Sequence, residues 1–397
     1  YMQRAIALAV LSDNPTIINN LSECNDCRAA MGIASSLGCS VTETGGGIII
    51  CPPNNRLNAS RLYCGESGLA LRMFTPIAAL LGTEVELTGG GSLTKRPVDF
   101  MEDTLRQLGV ASASNGGLLP LRVKGPLTGG CATVDGSVSS QFLTGLLVSL
   151  PTIETDTSLI VNNLTSKPYI DMTLQIMRDF GVEVSHSNYE QFQISGNQHY
   201  MRDLYTVEGD WSGAASLIVA AAVAGTLTIG GLNRQSAQAD RAILHVLELT
   251  GTKYSFDADN NLIVKKNHNL RAFNFDATNC PDLFPVIASL AANCNGVSTI
   301  NGVHRLTYKE SNRAEAIQRE LGKLGIDIRI EGDAMHITGG RIAGGMASAC
   351  NDHRMAMSLA ICALTAAYPV TIGGTECVGK SYPEFFSVLE NLIVKTV

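Results

Sequence analysis

The chain is poor in charge. Only 16% of its 397 residues are Asp, Glu, Lys or Arg, 6% are aromatic, and there is a single tryptophan. Acidic residues outnumber basic ones by 36 to 29, leaving a net charge of −7. That balance excludes a general nucleic-acid binder, which needs an excess of cations. It does not exclude small anionic ligands, because a site needs only local positive charge. Long apolar runs are also missing. The opening stretch YMQRAIALAVLSDNP is too short to span a bilayer and has no signal-peptide cleavage pattern, so no membrane partner is expected. No HExxH motif or Cys/His ligand cluster occurs, so neither a metal nor a cofactor is expected. The eleven cysteines are odd in number and irregular in spacing. They read as reduced thiols of a cytoplasmic protein, not as a disulfide framework. Cys24 and Cys27 form one CxxC, but no second CxxC and no nearby histidine supports a zinc or redox reading.

What is present is a repeated pattern. A globular composition, 45% hydrophobic, and this length are enough for two domains and too much for one ordinary core. Helices rich in Ala and Leu, each followed by a short β-rich run, recur about every 70 residues. Examples are ESGLALRMFTPIAALLG then TEVELTG, DWSGAASLIVAAAVAG then TLTIGGL, and NDHRMAMSLAICALTAAYP then VTIGGT. These helices carry few charges on any side and are expected to be buried. Each unit adds a second helix charged on one side, such as PYIDMTLQIMRDFG or ESNRAEAIQRELGKLG, which marks a surface helix. The expected fold is α/β (α+β): six βαβαββ-like units, three in residues 1–207 and three in residues 208–397, with the boundary at YTVEGDW.

The starts of these helices gather polar groups. The buried helices begin with Arg4; Glu66 and Ser67; Ser139, Ser140 and Gln141; Asp210 and Ser212; Asp282; and His353 with Arg354. The second helices add Lys95 and Arg96; Ser166, Lys167 and Tyr169; Lys309, Glu310 and Arg313; and Lys380 with Ser381. Ser and Asp at such places are ordinary N-caps. Arg96, Lys309, Arg354 and Lys380 are not, because the dipole gives a cation no advantage at a helix N-terminus. Free backbone N–H groups together with cations make anion sites. A ligand with several phosphate or carboxylate groups is therefore expected. GTECVGKS, residues 374–381, matches the phosphate-loop pattern, but the few residues after Ser381 cannot build the nucleotide-binding sheet that the motif should open. Pro383 instead suits the first turn of a final helix, PEFFSVLENLIV.

Seven segments, DGSVSSQFLTGLL, SKPYIDMTL, VEGDWSGAAS, CPDLFPV, YKESNR, NDHRMAM and GKSYPEFF, occur in the order and spacing of one family. Over essentially its full length the chain resembles the 5-enolpyruvylshikimate-3-phosphate synthases (3-phosphoshikimate 1-carboxyvinyltransferases). The resemblance implies a two-domain inside-out α/β barrel fold, whose buried helices point their N-termini at an interdomain cleft that closes on the substrates. It implies a monomer that transfers the enolpyruvyl group of phosphoenolpyruvate to the 5-hydroxyl of shikimate 3-phosphate and releases phosphate, in aromatic amino-acid biosynthesis. By the same resemblance Arg4, Ser139, Ser140, Ser166, Tyr169, Arg305 and Lys309 would face shikimate 3-phosphate, with Gln141 between the two ligands. Gly68, Arg96 and Lys380 would lie at phosphoenolpyruvate, with Arg313 and Arg354 on its carboxylate. Asp282 would take the proton of the attacking hydroxyl, Glu310 would protonate the methylene carbon, and His353 and Lys380 would assist.

The chain departs from the family pattern at three places. Its turn reads Glu66-Ser67-Gly68-Leu69, with Arg72 retained, where the family has Asn-x-Gly-Thr. Arg305 stands near the position of a usual Asn. The family also has a Lys-Ser pair just before the segment matching YMQR, so an upstream strand ending in Lys-Ser is expected. Two rival readings are a sister enzyme acting on UDP-N-acetylglucosamine, suggested by the GGCAT around Cys131, and a non-catalytic binder of phosphorylated ligands. The acid–base residues argue against the second.

Overall fold

The computed structural model describes residues 1–53, 57–307 and 309–394. Tyr308 of the YKESNR segment lies outside the described residues. The chain divides into two compact units, Tyr1–Val207 and Glu208–Val397. Each has its own apolar core.

In the first unit the Met2–Val10, Gly68–Ala79 and Ser140–Ser149 helices are buried along nearly their whole length. The Gly68 helix packs against the other two. Small residues make that approach possible. A Cβ on Gly145 would stand 2.7 Å from the Met73 carbonyl oxygen and 2.8 Å from that of Arg72, so any larger residue would force the two helices apart. The second unit buries the Trp211–Ala224, Phe284–Ala292 and His353–Ala363 helices, which pack on one another. Helices with one polar side cover the outside, among them Lys167–Asp179 and Arg313–Gly322.

Among the described residues, four of the six sheets share one strand order: a leading strand runs parallel to its neighbour, and two antiparallel strands follow. Arg61–Tyr63, Glu84–Thr88, Leu118–Lys124 and Ala111–Asn115 form one of them. Alternate residues point to the core, as in Thr157–Asn162, where Thr157, Leu159 and Val161 are buried. In the sheet of the first helix the leading place is taken by Leu204–Thr206, which pairs with Thr16–Asn19 and puts Ile18 opposite Tyr205. The end of the first unit therefore closes on its own beginning.

Three expectations are corrected. The sheets are open, and none closes into a barrel among the described residues. The six units are also unequal. Thr226–Ile229 belongs to a three-stranded sheet, and Val370–Gly373 pairs only with Gly345–Ser348. Near the chain end, GTECVGKS follows Val370–Gly373 as a 3-10 turn, Thr375–Lys380, and not as a loop opening an α-helix. Pro383 precedes the last helix, Phe385–Val394, instead of lying inside its first turn. No helix among the described residues is long and apolar enough to cross a membrane.

Candidate active site

Ser67, Ser139, Ser140, Gln141, His353 and Arg354 lie at helix starts, whereas Lys95 and Arg96 end the turn Gly91–Lys95, Lys380 ends the turn Thr375–Lys380, and Lys309 and Glu310 precede the Arg313 helix. In the first unit, Ser67 caps the Gly68 helix by accepting from the Ala70 N–H. Ser139 caps the Ser140 helix by accepting from the Gln141 N–H at 3.2 Å, and Ser140 is buried in its first turn. Gln141 Oε1 accepts from Arg72 Nη1 at 2.9 Å. A Cβ on Gly68 would lie 2.6 Å from Arg96 Nη1, 3.3 Å from Arg72 Nη1 and 3.4 Å from Gln141 Oε1. Two guanidinium groups and an amide thus converge on the free N–H groups of one helix start, where glycine leaves room for them. Arg72, noted in the sequence only as retained, is part of this cluster.

Arg4, in the Met2–Val10 helix, is anchored on the Lys167–Asp179 helix. Its Nε donates to Thr173 Oγ1 at 3.0 Å and its Nη2 to the Tyr169 carbonyl at 3.3 Å. Burial lowers its pKa to about 10, so it stays charged at neutral pH. Ser166, the residue before the Lys167 helix, holds φ 59° and ψ 43°. That left-handed conformation is uncommon for serine. Glu66, the unusual residue of the turn, is held by Ser92: its Oε2 accepts from the Ser92 N–H at 3.1 Å and from the hydroxyl at 3.3 Å. An acid at the start of the Gly91–Lys95 turn is favourably placed for the backbone dipoles. Leu69, the other departure, packs on the core.

The second unit assembles an ion-pair network around Arg313, whose side chain is 1% exposed. Its Nη1 donates to Asp282 Oδ1 at 2.7 Å, its Nη2 to Glu310 Oε2 at 2.8 Å, and its Nε to Asp352 Oδ2 at 2.8 Å. Lys309 Nζ reaches Asp282 Oδ1 at 3.1 Å, and Lys380 Nζ lies 3.0 Å from Glu310 Oε1. Asp282, Lys309, Glu310, Arg313 and Lys380 are thus brought together. Arg305 sits in the preceding 3-10 turn, Val303–Leu306.

Asp352 was absent from the expected site. It caps the His353 helix by accepting from the Arg354 N–H at 3.0 Å, and it is fully buried against Arg313. Burial is the largest influence and opposes its charge, but the charge and hydrogen bonds of Arg313, with His353, together hold the carboxyl below its usual range. The sequence signal was there: a helix that opens on His-Arg needs an anion, and Asp352 is one. Asp282 is likewise opposed by burial and held well below the usual range by Lys309, Arg313 and Arg354. His353 is pulled down to about 3, first by burial and then by Arg354, so its imidazole is neutral at physiological pH. Its Nδ1 has no hydrogen-bond partner among the described residues. Arg354 donates from Nη1 to the Ser212 carbonyl at 2.9 Å, and its buried Nε has no partner among the described residues. A guanidinium with donor capacity left at a helix start is suited to an incoming anion.

This geometry combines fixed cations, carboxylates and helix N-termini, and the match to known proteins is broad. The family model for EPSP synthase (3-phosphoshikimate 1-carboxyvinyltransferase) matches residues 1–389. The chain belongs to the EPSP synthase family. The 3-phosphoshikimate 1-carboxyvinyltransferase of Clostridium botulinum (strain Alaska E43 / Type E3) is 37% identical over 393 residues, covering 96% of this chain and 90% of the relative. The enzyme of that name from Methanosarcina acetivorans is 37% identical over 405 residues, covering 100% and 94%. In fold, the chain is similar to the EPSP synthase of Acinetobacter baumannii at a TM-score of 0.82, with 24% identity and coverage of 98% and 92%. Among the described residues no group of three or more His, Cys, Asp or Glu is placed to hold a metal ion. Cys24 and Cys27 are free thiols at the start of the Asn25–Ser36 helix.

Proposed function

We propose that this chain transfers the enolpyruvyl group of phosphoenolpyruvate to the 5-hydroxyl of shikimate 3-phosphate with release of phosphate. The observation that carries the reading is the Arg313 network, in which acid–base carboxylates and anion-binding cations share one cluster.

In this reading Tyr1–Val207 supplies most contacts to shikimate 3-phosphate: Arg4, Ser139, Ser140, Ser166 and Tyr169, with Gln141 reaching both ligands. Lys309 and Arg305 add charge at the phosphate end. The family resemblance assigns Gly68 and Arg96 of the first unit and Lys380 of the second to the phosphate of phosphoenolpyruvate, and Arg313 and Arg354 to its carboxylate. Asp282 accepts the proton of the 5-hydroxyl as its oxygen attacks the central carbon of phosphoenolpyruvate. Glu310 passes a proton to the methylene carbon, and Lys380, 3.0 Å from Glu310, is placed to supply it. As the resulting tetrahedral ketal loses phosphate, Glu310 takes a proton back from its methyl group and the double bond is restored, while the fixed cations stabilise the leaving dianion. His353, neutral at the helix start, contributes hydrogen bonding and no charge.

The ion pairs also explain how a low-pKa carboxylate serves as a base. Lys309 and Arg313 hold Asp282 ionised but weakly basic. Anionic substrates compete for the same cations, and each cation they draw away returns basicity to Asp282.

The reading in favour of UDP-N-acetylglucosamine is weakened by Cys131. It lies within the strand Gly130–Asp135, paired opposite Ser158, and not in a free loop. Phosphate release from phosphoenolpyruvate, assayed with each acceptor in turn, tests the proposal. Release is expected with shikimate 3-phosphate and not with UDP-N-acetylglucosamine. The reverse preference, or no turnover with either, contradicts it.

A further inference from the structure

Asp240 lies outside every residue set discussed so far. It sits in the 3-10 turn Ala239–Ala242, is 2% exposed, and belongs to the same unit as the Arg313 network. One carboxylate oxygen, Oδ2, accepts from the Ser212 hydroxyl. The other, Oδ1, is buried with no hydrogen-bond partner among the described residues. Ser212 is the first-turn residue whose carbonyl accepts from Arg354 Nη1. One serine therefore ties a buried carboxyl to the guanidinium at the start of the His353 helix.

We infer that Asp240 is a positioning residue that, through Ser212, sets how available Arg354 is to the carboxylate of phosphoenolpyruvate. The inference rests on the reading of Arg354 given above.

The surroundings of Asp240 account for this. A buried acid with an unpartnered oxygen resists ionisation. Asp282, from the segment before the Phe284 helix, and Asp210, at the start of the Trp211 helix, add repulsion. Arg354 and the Ser212 hydroxyl pull the other way. Cys280 also feels Asp240, but burial pushes its thiol far up and keeps it neutral. The balance, led by burial, raises the Asp240 carboxyl to about 7. Protonated, Asp240 leaves Arg354 to its ligand. Ionised, it competes for Arg354 and places a second negative charge beside the incoming carboxylate. Affinity for phosphoenolpyruvate should thus weaken as the pH rises through neutrality.

The test is steady-state kinetics from pH 6 to pH 8.5 on the intact protein and on Asp240→Asn, Asp240→Glu and Ser212→Ala. In the unaltered protein the KM for phosphoenolpyruvate is expected to rise about threefold to tenfold across this range, the effect of one added charge at partly screened distance. Asp240→Asn should flatten the rise while changing kcat at low pH little, and Asp240→Glu should restore it. Ser212→Ala should weaken it. Infrared difference spectra between intact protein and Asp240→Asn should show a protonated carboxyl band that disappears as the pH passes about 7. An unchanged pH dependence in Asp240→Asn, or no such band, overturns the inference. Arg354→Ala separates this from failure of the underlying reading: if its KM for phosphoenolpyruvate is unchanged, Arg354 is wrongly assigned whatever Asp240 does.

Discussion

Asp282→Asn is expected to lower kcat about 10²-fold to 10⁴-fold, the usual effect of removing a general base. The substitution preserves size, and the Asn carbonyl can still accept from Arg313, which now donates to Asp282 Oδ1 at 2.7 Å. The fold and the binding of shikimate 3-phosphate should therefore survive, with KM values changing by less than the rate. The argument is geometric before it is electrostatic. Asp282 is held by both Lys309 and Arg313, so it is fixed in position and ionised when substrate arrives. A fall of less than about tenfold in kcat would remove Asp282 from the role of base.

Arg313→Met is expected to cost about 3–5 kcal/mol of folding stability at neutral pH, as in other proteins where one partner of a buried ion pair is removed. Arg313 is bound by three carboxylates, and Asp352 among them is fully buried. Without the guanidinium they repel one another in a poorly solvated place. The effect has a defined pH dependence. Asp282 and Asp352 have folded pKa values below their unfolded ones. Their contribution is therefore present above the ordinary carboxyl range and is lost as the pH falls through the folded values. The gap in urea midpoint between Arg313→Met and the unaltered protein should accordingly narrow as the pH falls below about 4. Arg313→Lys keeps the charge but loses the fork that reaches three carboxylates at once, and should fold better than Arg313→Met. A loss below about 1 kcal/mol for Arg313→Met would show that the network is not a structural element.

Much of this was legible because the six buried helices announce themselves. Trp211–Ala224 is apolar on every side, so nothing but burial suits it, and Asp210 marks its start. The cations at helix starts stood out because the dipole disfavours them. What stayed hidden was pairing at a distance. Nothing in DHRM says that Asp352 will be taken up by Arg313, 39 residues earlier. No local pattern singles out Asp240, and only the fold puts it beside Ser212. The reach of Leu204–Thr206 back to Thr16–Asn19 is a long-range strand pairing that no local pattern encodes. The inequality of the sheets was missed for the same reason, because a period in helices does not fix how many strands each sheet collects.

The central claim is that a carboxylate in this cluster protonates the methylene carbon of phosphoenolpyruvate while an acceptor hydroxyl adds next to it. Running the reaction with shikimate 3-phosphate in D₂O and following the vinyl protons by NMR tests it directly. If addition passes through a protonated methyl group, deuterium enters that group before elimination. The product should then carry deuterium at its vinyl carbon as phosphate is released. Phosphate release with every vinyl proton retained would mean that the carbon is never protonated, and would contradict the account.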